Sequence, residues 1–198
     1  MTRNTITKEA LASALKNLVK DKAFEKITIK DITDFCDISR NTFYYHFTDK
    51  YDLLNWIFNL EVLKPVDALF KAGLWGESFV DLCQRLLENR GFYLKIFRYT
   101  GKHSLQEYLI SFYSKLLEDY IRHIYTRIGC CPPEREIQLI ARMQAHSYVG
   151  IVLDWIYAGM DDDHMCCLQQ LEELIRKTAE YAAMSQCLPL SGAKKVSA

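Results

Sequence analysis

The sequence predicts an all-α protein on two observations. Only 8 Gly and 4 Pro interrupt the 198 residues. Leu, Ile, Lys, Glu and Gln recur at the three- and four-residue spacing of helices, and no run alternates for long between apolar and polar residues, as a half-buried strand would. We therefore expect about nine helices and no sheet.

The first helix is expected to begin after Thr7, which would be its N-cap, and to run for about fifteen residues with Glu9 in its first turn. Its apolar positions follow the i, i+4, i+7, i+8 stripe of a helix with one buried face. They are Leu11, Leu15, Leu18 and Val19.

Two short helices are expected next. Thr28 would cap a helix from Ile29 to about Phe35. A three-residue turn, Cys36-Asp37-Ile38, would lead to Ser39, the cap of a second helix from Arg40 to about Phe47. A helix, a three-residue turn and a helix together have the spacing of a helix-turn-helix.

Asp49 is expected to start a longer helix, KYDLLNWIFNLEVL. From about Gly73 the chain indicates a second helical block, punctuated by glycines and prolines. Its candidate helices are roughly residues 77–90, 92–99, 103–128, 133–159 and 163–186.

The second short helix should have two distinct faces. At about 100° per residue, Phe43 and Phe47 fall on one side and can pack against the first helices. The remaining polar and aromatic side chains point towards solvent or a ligand. They are Arg40, Asn41, Thr42, Tyr44, Tyr45, His46 and, just beyond the helix, Lys50.

This outward set suits a DNA duplex. Arg can contact guanine and Asn can pair with adenine in the major groove. Hydroxyl groups, a histidine and a lysine can hold phosphates, which fixes the register without reading sequence. The alternative is a small domain whose tyrosines only cover apolar surface and leave their hydroxyls in water.

The segment TIKDITDFCDISRNTFYYHFTDKYDLL resembles the N-terminal domain of TetR-family transcriptional regulators, and the likeness covers residues 7 to about 56. The family usually has Gly in the turn where this chain has Asp37, and Asp tolerates a left-handed backbone better than most residues. The resemblance implies a set of positions at DNA: Thr28, Arg40, Asn41, Thr42, Tyr44, Tyr45, His46 and Lys50.

Longer phrases, such as TFYYHFTDKYDLLNWIF and FYLKIFRYTGKHSLQEYL, are similar to the branch that includes regulators of dihydroxyacetone kinase operons. That likeness implies a metabolic regulator in which a kinase-like partner protein could do the sensing. With the family resemblance it divides the chain into four parts. They are a helix-turn-helix DNA-binding domain (1–50), a connecting helix (51–72), a regulatory and dimerisation domain (73–187) and a disordered tail (188–198).

Two apolar helices near the end of the chain could pack against a second copy or form ordinary internal core. TetR-like proteins dimerise through their last two long helices, so the resemblance implies a homodimer. The expected interface residues are Ile151, Trp155, Leu168, Leu171 and Ile175.

The aromatic residues of the second block could line an effector pocket, although plain core is the alternative for each of them. The residues expected there are His103, Tyr148 and Trp155. Control by a small-molecule effector or by a protein co-regulator stays open.

Composition argues against several other classes of protein. The 25 basic and 25 acidic residues cancel, so any positive patch must be local. No signal peptide is visible, and the longest uncharged stretch of the helical body, residues 143–153, is too short to span a bilayer. A cytoplasmic protein without membrane contact is expected.

Seven cysteines without a CxxC fit reduced thiols. The stretch DDDHMCC at 161–167 pairs adjacent cysteines, a poor spacing for zinc, so no metal or cofactor is expected. No nucleophile lies in a recognisable setting, which disfavours an enzyme.

Overall fold

A computed structural model of the chain describes residues 3–129 and 131–161, together with Glu173, Leu174, Lys177 and Tyr181. These residues are helical and contain no strand, which confirms the all-α prediction. The helices are α1 (Arg3–Asp21), α2 (Ile29–Phe35), α3 (Arg40–His46), α4 (Lys50–Phe58), α5 (Lys64–Lys71), α6 (Trp75–Glu88), α7 (Arg90–Ile96), α8 (Leu105–Arg127) and α9 (Glu134–Tyr157).

Most predicted helix starts are confirmed. Thr28, Ser39 and Asp49 each accept a hydrogen bond from a backbone N–H in the first turn of the helix that follows. The start of α1 was predicted wrongly, because the helix begins at Arg3, ahead of Thr7. The predicted last helix (163–186) and tail (188–198) lie outside the described residues, apart from the four named above.

The start of α2 is fixed by a charged network. The Thr28 side chain accepts a hydrogen bond from the Asp31 N–H, and Asp31 Oδ2 accepts hydrogen bonds from the Thr28 N–H (2.7 Å) and hydroxyl (2.9 Å). The Lys22 ammonium lies 2.6 Å from the same oxygen. The hydrogen bond from Lys22 and those from Thr28 lower the pKa of Asp31 to about 2.

A lysine clamp joins α4 to the link between α1 and α2. Lys50 Nζ donates to the carbonyl oxygens of Phe24 (2.9 Å), Glu25 (2.9 Å) and Ile27 (2.8 Å). The same ammonium lies over the Phe24 ring, 4.8 Å from its centroid. Burial lowers the pKa of Lys50. The clamp therefore fixes the link on which α2 and α3 depend.

The helical run from 50 to 71 contains a π-helical segment, Asn59–Leu63. The buried positions of the whole run explain this irregularity. They recur every four residues before and after the segment, but within it they recur after five, from 57 to 62 and from 58 to 63. One extra residue keeps a single face on the core and turns Leu60 and Glu61 away from it. Glu61 then accepts from Lys16 of α1 (2.5 Å) and from the Tyr93 hydroxyl of α7 (3.2 Å).

The second block is built around the long pair α8 and α9, whose facing sides are buried. Phe79 of α6 packs against Tyr113 and Tyr148, with ring centroids 5.8 and 4.4 Å apart. Burial raises the pKa of both tyrosines. The buried residues form one continuous cluster from Leu11 to Met160. The first block (α1 to α5) and the second block (α6 to α9) therefore share a core.

An aromatic junction joins the second block to the lysine clamp. The Tyr99 ring contacts Phe24 (5.7 Å between centroids) and Tyr51 (5.5 Å), and His103 also packs on Tyr51 (6.1 Å). The Tyr99 hydroxyl donates to the Lys102 carbonyl. A hydrogen bond with Tyr99 raises the pKa of Tyr51 to about 12. The loop between α7 and α8 therefore rests directly on the first block.

We expect Lys50→Met to lower the free energy of unfolding by about 2 kcal/mol, since it leaves three carbonyl groups without their charged donor. Urea unfolding followed by circular dichroism measures the difference. Lys26→Met, which replaces an exposed lysine of the same link, is the control and should change stability by less than about 0.5 kcal/mol. Equal effects of the two changes would contradict the clamp.

We expect the stabilising effect of Asp31 to disappear in acid. Its folded pKa of about 2 lies below the unfolded value of about 3.9, so the carboxylate stabilises the fold above about pH 4 and loses this effect towards pH 2. Asp31→Asn should cost up to about 1 kcal/mol at neutral pH, because solvent screens the exposed ion pair.

Urea unfolding of wild type and Asp31→Asn between pH 7 and pH 3 measures this difference. It should narrow steadily below pH 4. Asp34→Asn, which removes an exposed carboxylate of the same helix, is the control. A wild-type advantage over Asp31→Asn that stayed constant down to pH 3 would contradict the assignment.

Candidate nucleic-acid interface

The turn between α2 and α3 has the geometry that a helix-turn-helix needs. Asp37 lies in the left-handed region with φ of 51°, where the family usually has glycine. Ser39 Oγ accepts from the Thr42 N–H at 3.1 Å and lies 2.8 Å from the Thr42 hydroxyl. The predicted turn and cap are therefore confirmed, and they set the direction in which α3 leaves the first block.

The two faces of α3 are separated as predicted. Phe43 and Phe47 are buried, with 0% and 3% of their surfaces exposed. Tyr44 and Tyr45 are 51% and 80% exposed, although each ring costs free energy in water. Tyr44 rests edge-on against Phe43, with 5.8 Å between ring centroids. The helix is thus held by two phenylalanines and presents two tyrosines.

The other predicted residues of α3 differ in how free their side chains are. Arg40 and Asn41 are exposed in the first turn, next to Tyr44 and Tyr45. His46 packs edge-on against Tyr45, with 4.9 Å between ring centroids. The Thr42 and Thr28 hydroxyls bond within their own caps. The most exposed of the predicted α3 side chains are accordingly Arg40, Asn41, Tyr44 and Tyr45.

Lys50 has partners that the sequence did not indicate. An ammonium has three N–H donors, and the clamp directs them to three carbonyl oxygens. In the chain without DNA all three donors are used in this way, which gives Lys50 a structural role, and its predicted DNA contact stays a prediction. The sequence did not reveal this, because the carbonyls lie 23 to 26 residues earlier in the chain.

One basic residue near α3 was missed by the sequence reasoning. Lys8 of α1 holds its ammonium 5.4 Å from the centroid of Phe47 and 5.8 Å from that of Trp56. Phe47 directly follows α3, so this contact places a positive charge beside the end of that helix. In the sequence Lys8 is only one polar residue among others on α1, and this does not indicate that it contacts Phe47 and Trp56.

The residues predicted to line an effector pocket lie in three different places. His103 packs on Tyr51 in the aromatic junction. Tyr148 is buried against Tyr113, with 4.5 Å between ring centroids. Trp155 is buried near the end of α9, and its Nε1 donates to the Asp161 carbonyl at 2.8 Å. These contacts are those of core residues and do not bring the three side chains together, so the effector pocket they were expected to line stays a prediction.

The residues predicted at the dimer interface differ in their exposure. Ile151 is exposed on α9 and is available to a second copy. Trp155 is 1% exposed within its own chain, so its indole cannot reach a partner, and this prediction is corrected. Leu168, Leu171 and Ile175 lie outside the described residues.

The described helices include none long and apolar enough to cross a membrane. Within the same residues, no three His, Cys, Asp or Glu side chains cluster as a metal site. Most of the stretch 161–167 lies outside the described residues.

Comparison with known proteins gives two family matches along the chain. Residues 7–57 match the family described as bacterial regulatory proteins, tetR family. Residues 74–177 match a family described as a transcriptional regulator C-terminal region. The boundary between the two matches falls within the helical run that contains the π-helical segment.

Among curated proteins, the transcriptional activator DhaS of the dhaKLM operon from Lactococcus lactis is 33% identical over 97 residues. The alignment covers 49% of this chain and 52% of the relative, so the chain matches about half the length of that protein.

Three solved structures share the fold. A dihydroxyacetone kinase operon activator, DhaS, matches with a TM-score of 0.65 at 24% identity, over 89% of this chain and 98% of its own. Thermus thermophilus FadR, a TetR-family repressor in complex with lauroyl-CoA, matches with a TM-score of 0.57 at 16% identity, over 94% of this chain and 98% of its own. A TetR-family regulator from Syntrophomonas wolfei matches with a TM-score of 0.53 at 15% identity, over 98% of this chain and 100% of its own. Since the C-terminal match alone spans more than half of the chain, this chain belongs to the TetR family of bacterial transcriptional regulators.

Proposed function

We propose that this regulator binds DNA in a sequence-specific manner, as a homodimer on a palindromic operator. The observation that carries the proposal is the division of α3 into a buried face, with Phe43 and Phe47, and an exposed face that ends in Tyr45. The packing of the chain leaves most of both tyrosines exposed, beside an arginine and an asparagine. They are suited to the edges and phosphates of a duplex.

Each exposed residue of α3 has a chemical counterpart on DNA. Asn41 can pair with the N6 and N7 atoms of adenine, and Arg40 can contact guanine. The tyrosine hydroxyls can donate to phosphates, while a tyrosine ring can touch a thymine methyl group. Since the chain carries no net charge, affinity must come from this local surface. Two copies on one operator would double that surface.

An exposed apolar face of α9 supports the homodimer. Leu139, Met143 and Ile151 are 67%, 61% and 38% exposed and lie on one side of the helix at four- and eight-residue spacing. Gly150 lies between them, and a Cβ added there would meet no atom within 4 Å. Large apolar side chains that stay exposed along a helix mark an interaction surface, and a second copy is the simplest partner.

The second block would control DNA binding through a small effector or a partner protein. Its loop between α7 and α8 touches the lysine clamp through Tyr99, so a shift of this loop would reach the link before α2. The relative named as activator of the dhaKLM operon supports control of dihydroxyacetone-type metabolism. TetR-family regulators are generally non-enzymatic and act on cytoplasmic DNA, and the same is proposed for this chain.

The alternative function is an interaction module that acts mainly through a kinase-like protein partner. Selection of binding sites from random duplexes separates the two proposals. An enriched palindrome at moderate salt supports the DNA-binding regulator. The absence of enrichment would favour the partner.

We expect Asn41→Ala to relax base choice at one position of each half-site and to weaken binding of the selected operator about tenfold. The lost pair with adenine accounts for a change of this size. Fluorescence anisotropy on the operator and on its single-base variants measures both effects.

Gln84→Ala removes an exposed side-chain amide from α6 and is the matched control. It should bind like wild type. If Asn41→Ala kept both the affinity and the base preference of wild type, α3 would not be the reading helix.

We expect Leu139→Glu to convert the homodimer largely to monomer, because it would bury an unpaired charge from each copy in an apolar contact. Sedimentation velocity over a concentration series measures the change. Gln138→Glu adds the same charge on a neighbouring side of α9 and should leave the dimer intact. A Leu139→Glu dimer as stable as wild type would exclude this face as the interface.

A further inference from the structure

A cleft of about 800 Å³ lies where the two blocks of the chain meet. One wall is α1, the second is the end of α4 with the π-helical segment, and the third is the junction of α6 and α7. The cleft is therefore lined both by the region that matches the tetR N-terminal family and by the region that matches the C-terminal family. His103, Tyr148 and Trp155 are not among its lining residues.

An ion pair joins two walls of the cleft. Lys16 of α1 lies 2.5 and 2.7 Å from the two carboxylate oxygens of Glu61, and the same ammonium lies 5.7 Å from the centroid of the Phe92 ring. Tyr93 donates to Glu61 from the third wall. These charges satisfy one another, so they hold the three walls together and leave the rest of the cleft to other groups.

The interior of the cleft is apolar and open. Trp56 and Leu60 line it from the α4 side, and Leu60 is 44% exposed because the π-helical segment turns it outward. Leu87 and Phe92 line the opposite wall. Gly91 is an exposed lining residue, and a Cβ added to it would meet no atom within 4 Å, so this part of the cleft is open space. An apolar volume of this size accommodates a small organic molecule.

One end of the cleft is basic. Lys95 Nζ donates to the backbone carbonyl of Lys20 where α1 ends, and the Lys20 ammonium donates to Asn17 Oδ1 at 2.8 Å. Arg90 lies nearby on α7 and donates through Nε to the Gly159 carbonyl at 2.8 Å. Glu9 and Glu88 also line the cleft, so its lining carries four basic and three acidic side chains, and two of the basic ones are Lys20 and Lys95. The cleft thus pairs an apolar interior with a cationic end.

We propose that this cleft binds a small amphipathic anion, with a flat aromatic or branched apolar body against Trp56 and Leu60 and its acidic group towards Lys20 and Lys95. Because α1 forms one wall, occupancy changes the position of the first block and hence the affinity for DNA. The regulatory half of this inference rests on the proposed function, whereas the binding half stands on the cleft alone.

The test uses 8-anilinonaphthalene-1-sulfonate, a fluorescent aromatic anion, on the full-length protein. We expect saturable binding to wild type. Gly91→Phe places a ring in the cleft and should weaken dye binding about tenfold or more. The double change Lys20→Glu and Lys95→Glu should weaken it by a similar factor. Ser13→Phe enters the same volume from an exposed position on α1 and decides the result if Gly91→Phe does not fold.

Two matched controls lie outside the cleft. Ser111→Phe places the same ring on an exposed site of α8, and the double change Lys64→Glu and Lys115→Glu alters the net charge by the same amount. Both should bind the dye within about twofold of wild type. Unchanged binding by the cleft variants, or equal losses in the controls, would overturn the binding half.

A second measurement tests the regulatory half. Saturating dye should change the affinity of wild type for its selected operator by about threefold or more, and it should leave Gly91→Phe unaffected. Dye binding in the cleft without any change in DNA affinity would overturn this half. Failure to select any operator would count against the proposed function, while the dye titrations would still decide whether the cleft is a site.

Discussion

The first block depends on one ammonium group. Lys50 gathers three carbonyl oxygens of the link between α1 and α2, where the chain has left one helix and not yet begun the next. Backbone carbonyls at such a point must be paired or solvated. A single charged donor pairs three of them and fixes the separation between the link and the start of α4. The short helices α2 and α3 lie between these two anchored points, so their placement follows from the clamp.

The clamp also explains how a seven-residue helix can present a defined surface. An isolated helix of that length would not be stable in water. Here α3 is capped by Ser39, fastened through Phe43 and Phe47, and followed closely by the anchored start of α4. Its exposed residues are therefore held on a rigid base. Their free energy of exposure is offset by the packing of the two phenylalanines, each worth roughly 2 kcal/mol or more.

Local features of the sequence predicted the first block well. Caps, the three-residue turn and the two faces of α3 depend on residues within about four positions of one another, and simple periodicity reveals them. The structure differed where a partner lies far along the chain. Lys50 is polar and closely follows α3, yet its partners are backbone carbonyls, which every residue carries and which the sequence therefore does not single out. Trp155 and Tyr148 fit a ligand pocket or a core equally well by composition, and only packing decides between the two. The cleft between the two blocks is formed by three separate stretches of the chain, and no sequence pattern within any one of them indicates it.

The single five-residue step between buried positions has a consequence for how this protein can change. Substitutions alter the chemistry of a wall, but they leave the count of residues between Ile57 and Val62 as it is. Only a deletion would return the run to four-residue steps, and the same face would then stay on the core, because the π-helical turn already absorbs the extra residue. The extra residue therefore leaves the alignment of the two blocks unchanged, and a chain without it would lose the turn that directs Leu60 and Glu61 away from the core.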